Sequence, residues 1–252
     1  MKNWLFTLIA VLVAGVLLAI TRHDSKPMQK NEAGAKGFVL MELFTSQGCS
    51  SCPPADDLLG EYAEKNDSNI IPIAFHVDYW NKLGWLDSFS NHQFTERQEK
   101  YDADFLHADV YTPQLIINGQ KEMVGSEKAA VKKAIANALK EEPAVKINVT
   151  NVTENNSSVQ LNYLLDGNIS NTTLNVALVQ HKTITQVRAG ENDGSTLRNY
   201  NVIRLFKSYA AMSSGTVELA LPVGIDIKEF SVVLFVQNDS SGKVIGANKK
   251  DL

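Results

Sequence analysis

The sequence predicts an α/β half, a mixed sheet flanked by helices, followed by an all-β, sandwich-like half. Three observations predict it. Apolar runs of strand length alternate with helical patterns over residues 37–142. Both cysteines of the chain, Cys49 and Cys52, fall where the first run passes into the first helical pattern. Beyond Pro143 the texture changes to segments with a period of two, separated by polar turns.

The N-terminus stands apart. Met1-Lys2-Asn3 precedes an uncharged stretch, Trp4 to Ile20, which is long for the apolar part of a signal peptide and short for a membrane span. Residues 1–20 therefore read as a signal peptide or a retained membrane anchor. Either sends the rest of the chain out of the cytoplasm. Residues 21–36 are polar, hold Pro27 and Gly34, and read as a linker.

GFVLMELF, Gly37 to Phe44, is nearly continuously apolar, as expected of a strand buried on both faces. Pro53 and Pro54 suit the first turn of a helix, and Asp56 and Asp57 follow where the dipole favours acids. Ile70 to Trp80 is the second strand. Ser90 with Gln93 resembles a capping box for a helix to Phe105. Leu115 to Ile117, an Asn118-Gly119 turn and a short partner form a hairpin. Ser126 is the expected cap of a last helix, ended by Pro143. In the second half five alternating segments read as strands. Arg188 to Phe206 interrupts them as a long polar insertion. That insertion reads either as a loop that folds over the first half and shapes a cleft, or as a network of its own that joins the two halves.

The formal charge is −4 and charges of both signs are scattered, so no basic block argues for nucleic acid. The chemistry concentrates in FTSQGCSSCPPAD. A staple closing four residues contributes only about 1.9 kcal/mol in the chain-entropy model, against about 3 for fifteen. As a dithiol, Cys49 at the start of a helix sees free N–H groups that favour its thiolate, and it would be the reachable, attacking sulfur. Cys52, nearly one turn further in, would resolve the mixed disulfide. As a metal clamp the pair needs more ligands; His76 is the nearest candidate for a copper or zinc carrier. No metal and no dissociable cofactor is expected of the dithiol reading. Trp80, with Tyr79 and Trp85, either lines a substrate groove beside the pair or packs a long loop.

Strand, C-x-x-C helix, strand, helix, Thr-Pro strand, strand, helix resembles a thioredoxin-like domain. More closely, CSSCPPAD, HVDYW, YTPQ and AGEN with L-x-NYNV-x-R resemble an uncharacterised secreted bacterial family with a thioredoxin-like half and a β-rich half, over about residues 37–205. The resemblance implies that Pro113 is cis and faces the dithiol, and that Thr112 offers backbone to a bound partner. It also implies a buried acid on the strand entering the motif, for which Glu42 is the candidate, accepting the proton of Cys52 once burial has raised its pKa. Ser50-Ser51 departs from the Gly-Pro of thioredoxin itself, so its redox poise does not carry over. The expected activity is thiol–disulfide exchange with protein or small-molecule thiols and disulfides. The alternatives are a non-enzymatic binding protein on this scaffold, with the β-rich half carrying the function, and the metal carrier.

Overall fold

The computed structural model describes residues 37–155, 157–221, 224 and 226–252. The apolar stretch at 4–20 and the linker at 21–36 lie outside the described residues. Strand β1 (Val39–Thr45) is buried along its whole length, because it runs between β2 (Ile70–His76), parallel to it, and β3 (Gln114–Ile117), antiparallel to it. β4 (Lys121–Val124) closes that end of the sheet. Asn118 and Gly119, between β3 and β4, both have positive φ, the backbone an Asn-Gly hairpin turn requires.

The sheet does not stop at residue 142. β8 (Thr196–Ala210) pairs in parallel with β2 through Ala74 and Val202. β7 (Thr172–Gln186), β10 (Phe230–Asn238) and β11 (Val244–Asp251) follow, giving eight strands in the order β11-β10-β7-β8-β2-β1-β3-β4. Only β5 (Val145–Glu154), β6 (Ser158–Gly167) and β9 (Ser214–Ala220) form a sheet of their own. The β-rich half is thus not a separate body. It lends four strands to a shared mixed sheet, and Ala35–Leu252 is one compact unit.

Strand alternation sorts the core into three apolar clusters. Leu40 and Phe44 of β1, Ile71, Ile73 and Phe75 of β2 and Phe235 of β10 share one face. Helix α2 (His92–Lys100) covers it with Phe94, and the π-helical turn Tyr101–Leu106 adds Tyr101. On the other face, Val39, Met41 and Leu43 meet Leu58 and Leu59 of helix α1 (Pro53–Lys65) and Val131 and Ile135 of helix α3 (Lys128–Ala138). Val176 and Leu178 of β7 and Val232 and Leu234 of β10 meet Leu161 and Val217 of the three-stranded sheet. The sandwich expected for residues 143–252 exists as this local packing of one sheet on part of another.

Three local readings change. The cap of α2 is Asn91, whose side chain accepts from the Gln93 amide, while Ser90 instead donates to the carbonyl of Asp87. Glu127, not Ser126, precedes α3. Most of the polar stretch 188–206 is strand, leaving only residues 187–195 as a turn between β7 and β8. Its polar side chains disguised a strand because several of them, Asn199 and Asn201 among them, are buried and hydrogen-bonded inside the molecule.

Candidate redox site

Cys49 and Cys52 are joined as a disulfide, with Cα atoms 5.4 Å apart. α1 begins at Pro53, so Cys52 is its N-cap and Cys49 lies in the turn before it. The expected placement of Cys49 at the helix start is off by one turn, and the consequence is chemical. Prolines at the first two helical positions have no N–H to give, and the amides of Ala55 and Asp56 both donate to the Cys52 carbonyl. The helix end therefore offers a Cys49 thiolate less than an ordinary first turn would. A second expectation also changes. Both cysteines are 0% exposed, whereas Ser50 and Ser51 between them face solvent.

The peptide bond Thr112-Pro113 is cis, and the bend stands beside the motif: Ser51 Oγ donates to the Thr112 carbonyl at 3.5 Å. Trp80 fixes Thr112 from the other side, Nε1 donating to Thr112 Oγ1 at 2.8 Å. Cys49, Cys52, Thr112, Pro113 and Trp80 are thus brought together.

Glu42 is not brought to them. Strand alternation puts it with Leu40 and Phe44, on the face away from α1. There it is fully buried and accepts from Arg97 Nε at 2.7 Å and from the Tyr101 hydroxyl at 2.6 Å. The Arg97 guanidinium lies over the rings of Phe75, Tyr101, Phe206 and Phe235. This is a buried ion pair holding α2 to the sheet.

The buried acid on the dithiol side comes from the helix. Asp56 is four residues beyond Cys52, which places both on one face of α1, and it is 4% exposed. Burial pushes its carboxyl up to about 7, partly opposed by the nearby His76 and by a hydrogen bond from Thr45 Oγ1 at 3.2 Å. Behind it His76 Nδ1 and Asp87 Oδ2 pair at 2.7 Å, both buried. Burial alone would lower the imidazole, but the charge and hydrogen bond of Asp87, with Asp56, outweigh it and the shift is upward. Asp87 is likewise pushed up by burial and drawn down further by His76 and by the amides of Gln47 and Phe89. His76 Nδ1 is held by Asp87 while its buried Nε2 has no hydrogen-bond partner, and among the described residues no group of three or more His, Cys, Asp or Glu is arranged to hold a metal ion. A signal for Asp56 was present, namely its i,i+4 spacing from Cys52, which the dipole explanation of an early acid obscured.

Gln47 is the residue sequence reasoning missed. Fully buried, it gives its amide N–H to Asp87 Oδ2 and its Nε2 to Thr185 Oγ1 and Asn199 Oδ1, and takes the indole N–H of Trp85 on Oε1. Its carbonyl and that of Cys49 both accept from Asn192 Nδ2, at 2.9 and 3.0 Å. Glu191 Oε2 accepts from the amide and hydroxyl of Ser50, at 3.2 and 2.6 Å. The turn 187–195 therefore folds onto the motif, and the same set of bonds joins the two halves of the chain. A groove of about 710 Å³ between β4 and α3, lined by Met123, Ala130 and Ala134, is lined by neither cysteine.

A mixed sheet, a few helices and a buried disulfide beside a cis-proline bend describe a class of architecture rather than an activity. The chain belongs to the DUF1223 family, proteins of unknown function, whose family model matches residues 40–237. Among solved structures it is similar to protein AGR_C_4864 from Agrobacterium tumefaciens, with 26% identity, a TM-score of 0.66, and 84% of this chain and 93% of that one covered. A domain of the outer membrane lipoprotein Omp28 from Porphyromonas gingivalis is matched at 13% identity and a TM-score of 0.27, over 44% of this chain and 88% of that one. Comparison with curated proteins gives no match. Among the described residues no helix is long and apolar enough to cross a membrane.

Proposed function

We propose that the protein is an exported thiol–disulfide oxidoreductase with a thioredoxin-like site. A partner thiolate attacks Cys49 Sγ, the Cys49–Cys52 bond breaks, and a mixed disulfide forms on Cys49. Cys52 leaves as a thiolate and takes the proton of Asp56. A second thiolate of the partner then attacks the partner sulfur of the mixed disulfide and expels Cys49. The partner loses two electrons as its own disulfide closes, and the protein gains them as the dithiol. In the reverse direction the Asp56 carboxylate accepts the proton of Cys52 as that sulfur attacks. Thr112 and Pro113 hold the partner chain, and Trp80 holds Thr112. Export follows from reading residues 1–20 as a signal or anchor, and an exported thiol pair can oxidise and stay oxidised.

The observation that carries this reading is that Ser51, between the two cysteines, has its hydroxyl 3.4 Å from Cys49 Sγ and 3.5 Å from the Thr112 carbonyl. A second reading, a binding protein in which the disulfide is a clasp, draws on the complete burial of both sulfurs. Replacing Cys52 by Ser in the exported protein separates them. The redox reading expects partners held covalently on Cys49, released by reductant and lost when Cys49 is also replaced. No covalent partner, with the variant folded, sinks it.

A further inference from the structure

The exposed Ser50 and Ser51 lie between two cysteines that no solvent reaches. The tip of the turn 187–195 is tied to the motif, above a base where Val187 is buried and its N–H meets the Ser195 carbonyl. Four hydrogen bonds tie it there, all from two adjacent side chains, Glu191 and Asn192. The turn closes on itself through Gly194 N to the Val187 carbonyl and Ser195 N to the Asn192 carbonyl. Lifting its tip breaks no bond of the ladder between β7 and β8, which ends at Gln186 and Thr196. Gly190 and Gly194, at φ of +75° and +80°, bracket the two latching residues, and Gly190 packs on Trp85. Such a tip is the kind of element that opens locally while the rest stays folded.

Resting on the dithiol reading above, we propose that the tip of this turn, residues 188–194, is a gate at Cys49, latched by Glu191 and Asn192 and displaced by an extended polypeptide. The latch satisfies three backbone groups of the motif: the N–H of Ser50 and the carbonyls of Gln47 and Cys49. Donor and acceptors in one short run are what an extended chain can satisfy with its own amides and carbonyls. A small thiol cannot replace those bonds and must wait for spontaneous opening.

The test uses the full, oxidised chain and tris(2-carboxyethyl)phosphine, whose phosphorus attacks one sulfur and, with water, yields the phosphine oxide and two thiols. The double variant Glu191→Gln/Asn192→Ala is expected to be reduced about tenfold faster than wild type. An unchanged rate in a folded double variant overturns the gate. Should that variant not fold, wild type alone decides. A gated disulfide gives a rate that levels off at high phosphine and is insensitive to low urea. A rate linear in phosphine, or a plateau rising steeply with urea as for global unfolding, overturns it. The polypeptide part is read with a peptide of about ten residues carrying one cysteine, against free cysteine, as attacking thiols. Wild type is expected to favour the peptide by about tenfold, and the double variant to lose that preference. Equal wild-type rates remove the polypeptide as the occupant. Failure of the gate leaves the trapping of partners by Cys52→Ser untouched, whereas failure of the redox reading shows as no trapping even with the gate opened.

Discussion

Thr45 Oγ1 donates to Asp56 Oδ2 at 3.2 Å, tying the end of β1 to the first turn of the helix capped by Cys52. The bond is buried, and burial holds the carboxyl protonated up to about 7. A group whose folded pKa is raised contributes stability that is present below its unfolded pKa and is lost as pH rises through the folded one. For Asp56 the window runs from the ordinary carboxylate value, 3.8, to about 7. Asp56→Asn is expected to flatten the fall in urea midpoint across that window. Against burial, Asp87 raises His76 above its ordinary 6.5, which adds a pH dependence of its own, so the slope to compare is the difference between wild type and variant. An unaltered slope contradicts the assignment.

The same residue has a kinetic signature. In the reduced protein, Asp56→Asn is expected to slow resolution by Cys52 about 10²-fold or more, the range of general acid–base effects, and to remove the pH dependence near neutrality. Stopped-flow release of a mixed disulfide on Cys49 measures it. Glu42→Gln is expected to leave that profile in place, since Glu42 faces the other side of the sheet.

Arg97→Met takes the cation from buried Glu42 and leaves it only the Tyr101 hydroxyl, and is expected to cost about 3–5 kcal/mol by denaturant unfolding. Adding Glu42→Leu is expected to restore much of that loss, because removing both partners removes the orphaned charge. A double variant as unstable as the single one would show that the pair acts through packing of the surrounding rings instead.

How much of this was legible in the sequence follows physical lines. Patterns set by one neighbour were readable: the strand Val39–Thr45, the Asn118-Gly119 turn and the helix after two prolines all stand close to where periodicity and turn chemistry put them. Glu42 was misassigned because spacing along a chain does not say which face a strand residue takes. A shift of one position separates Thr45, which reaches Asp56, from the face where Glu42 meets Arg97. Gln47 was invisible because nothing local marks it. Its partners are Trp85, Asp87, Thr185, Asn192 and Asn199, which only the fold brings together. The joining of the two halves was missed for a similar reason, since a single parallel pairing of β2 with β8 decides it.

Gly60 sits in the middle of α1, where glycine costs a helix about 1 kcal/mol relative to alanine. The Tyr200 ring explains it: a Cβ at Gly60 would lie 2.5 Å from that ring. Gly60→Ala is therefore expected to destabilise by about 1–3 kcal/mol despite its better helix propensity. Combined with Tyr200→Ala it is expected to become neutral or favourable. Thermal unfolding of the two singles and the double measures the coupling.

The most direct measurement is the equilibrium of the Cys49–Cys52 pair with glutathione buffers, read by acid quench and mass of the alkylated thiols. An exchanging site is predicted to titrate above about −300 mV, in the range of the known oxidoreductases. A pair that stays oxidised below about −300 mV, as structural disulfides do, would contradict the account and leave the bond a clasp.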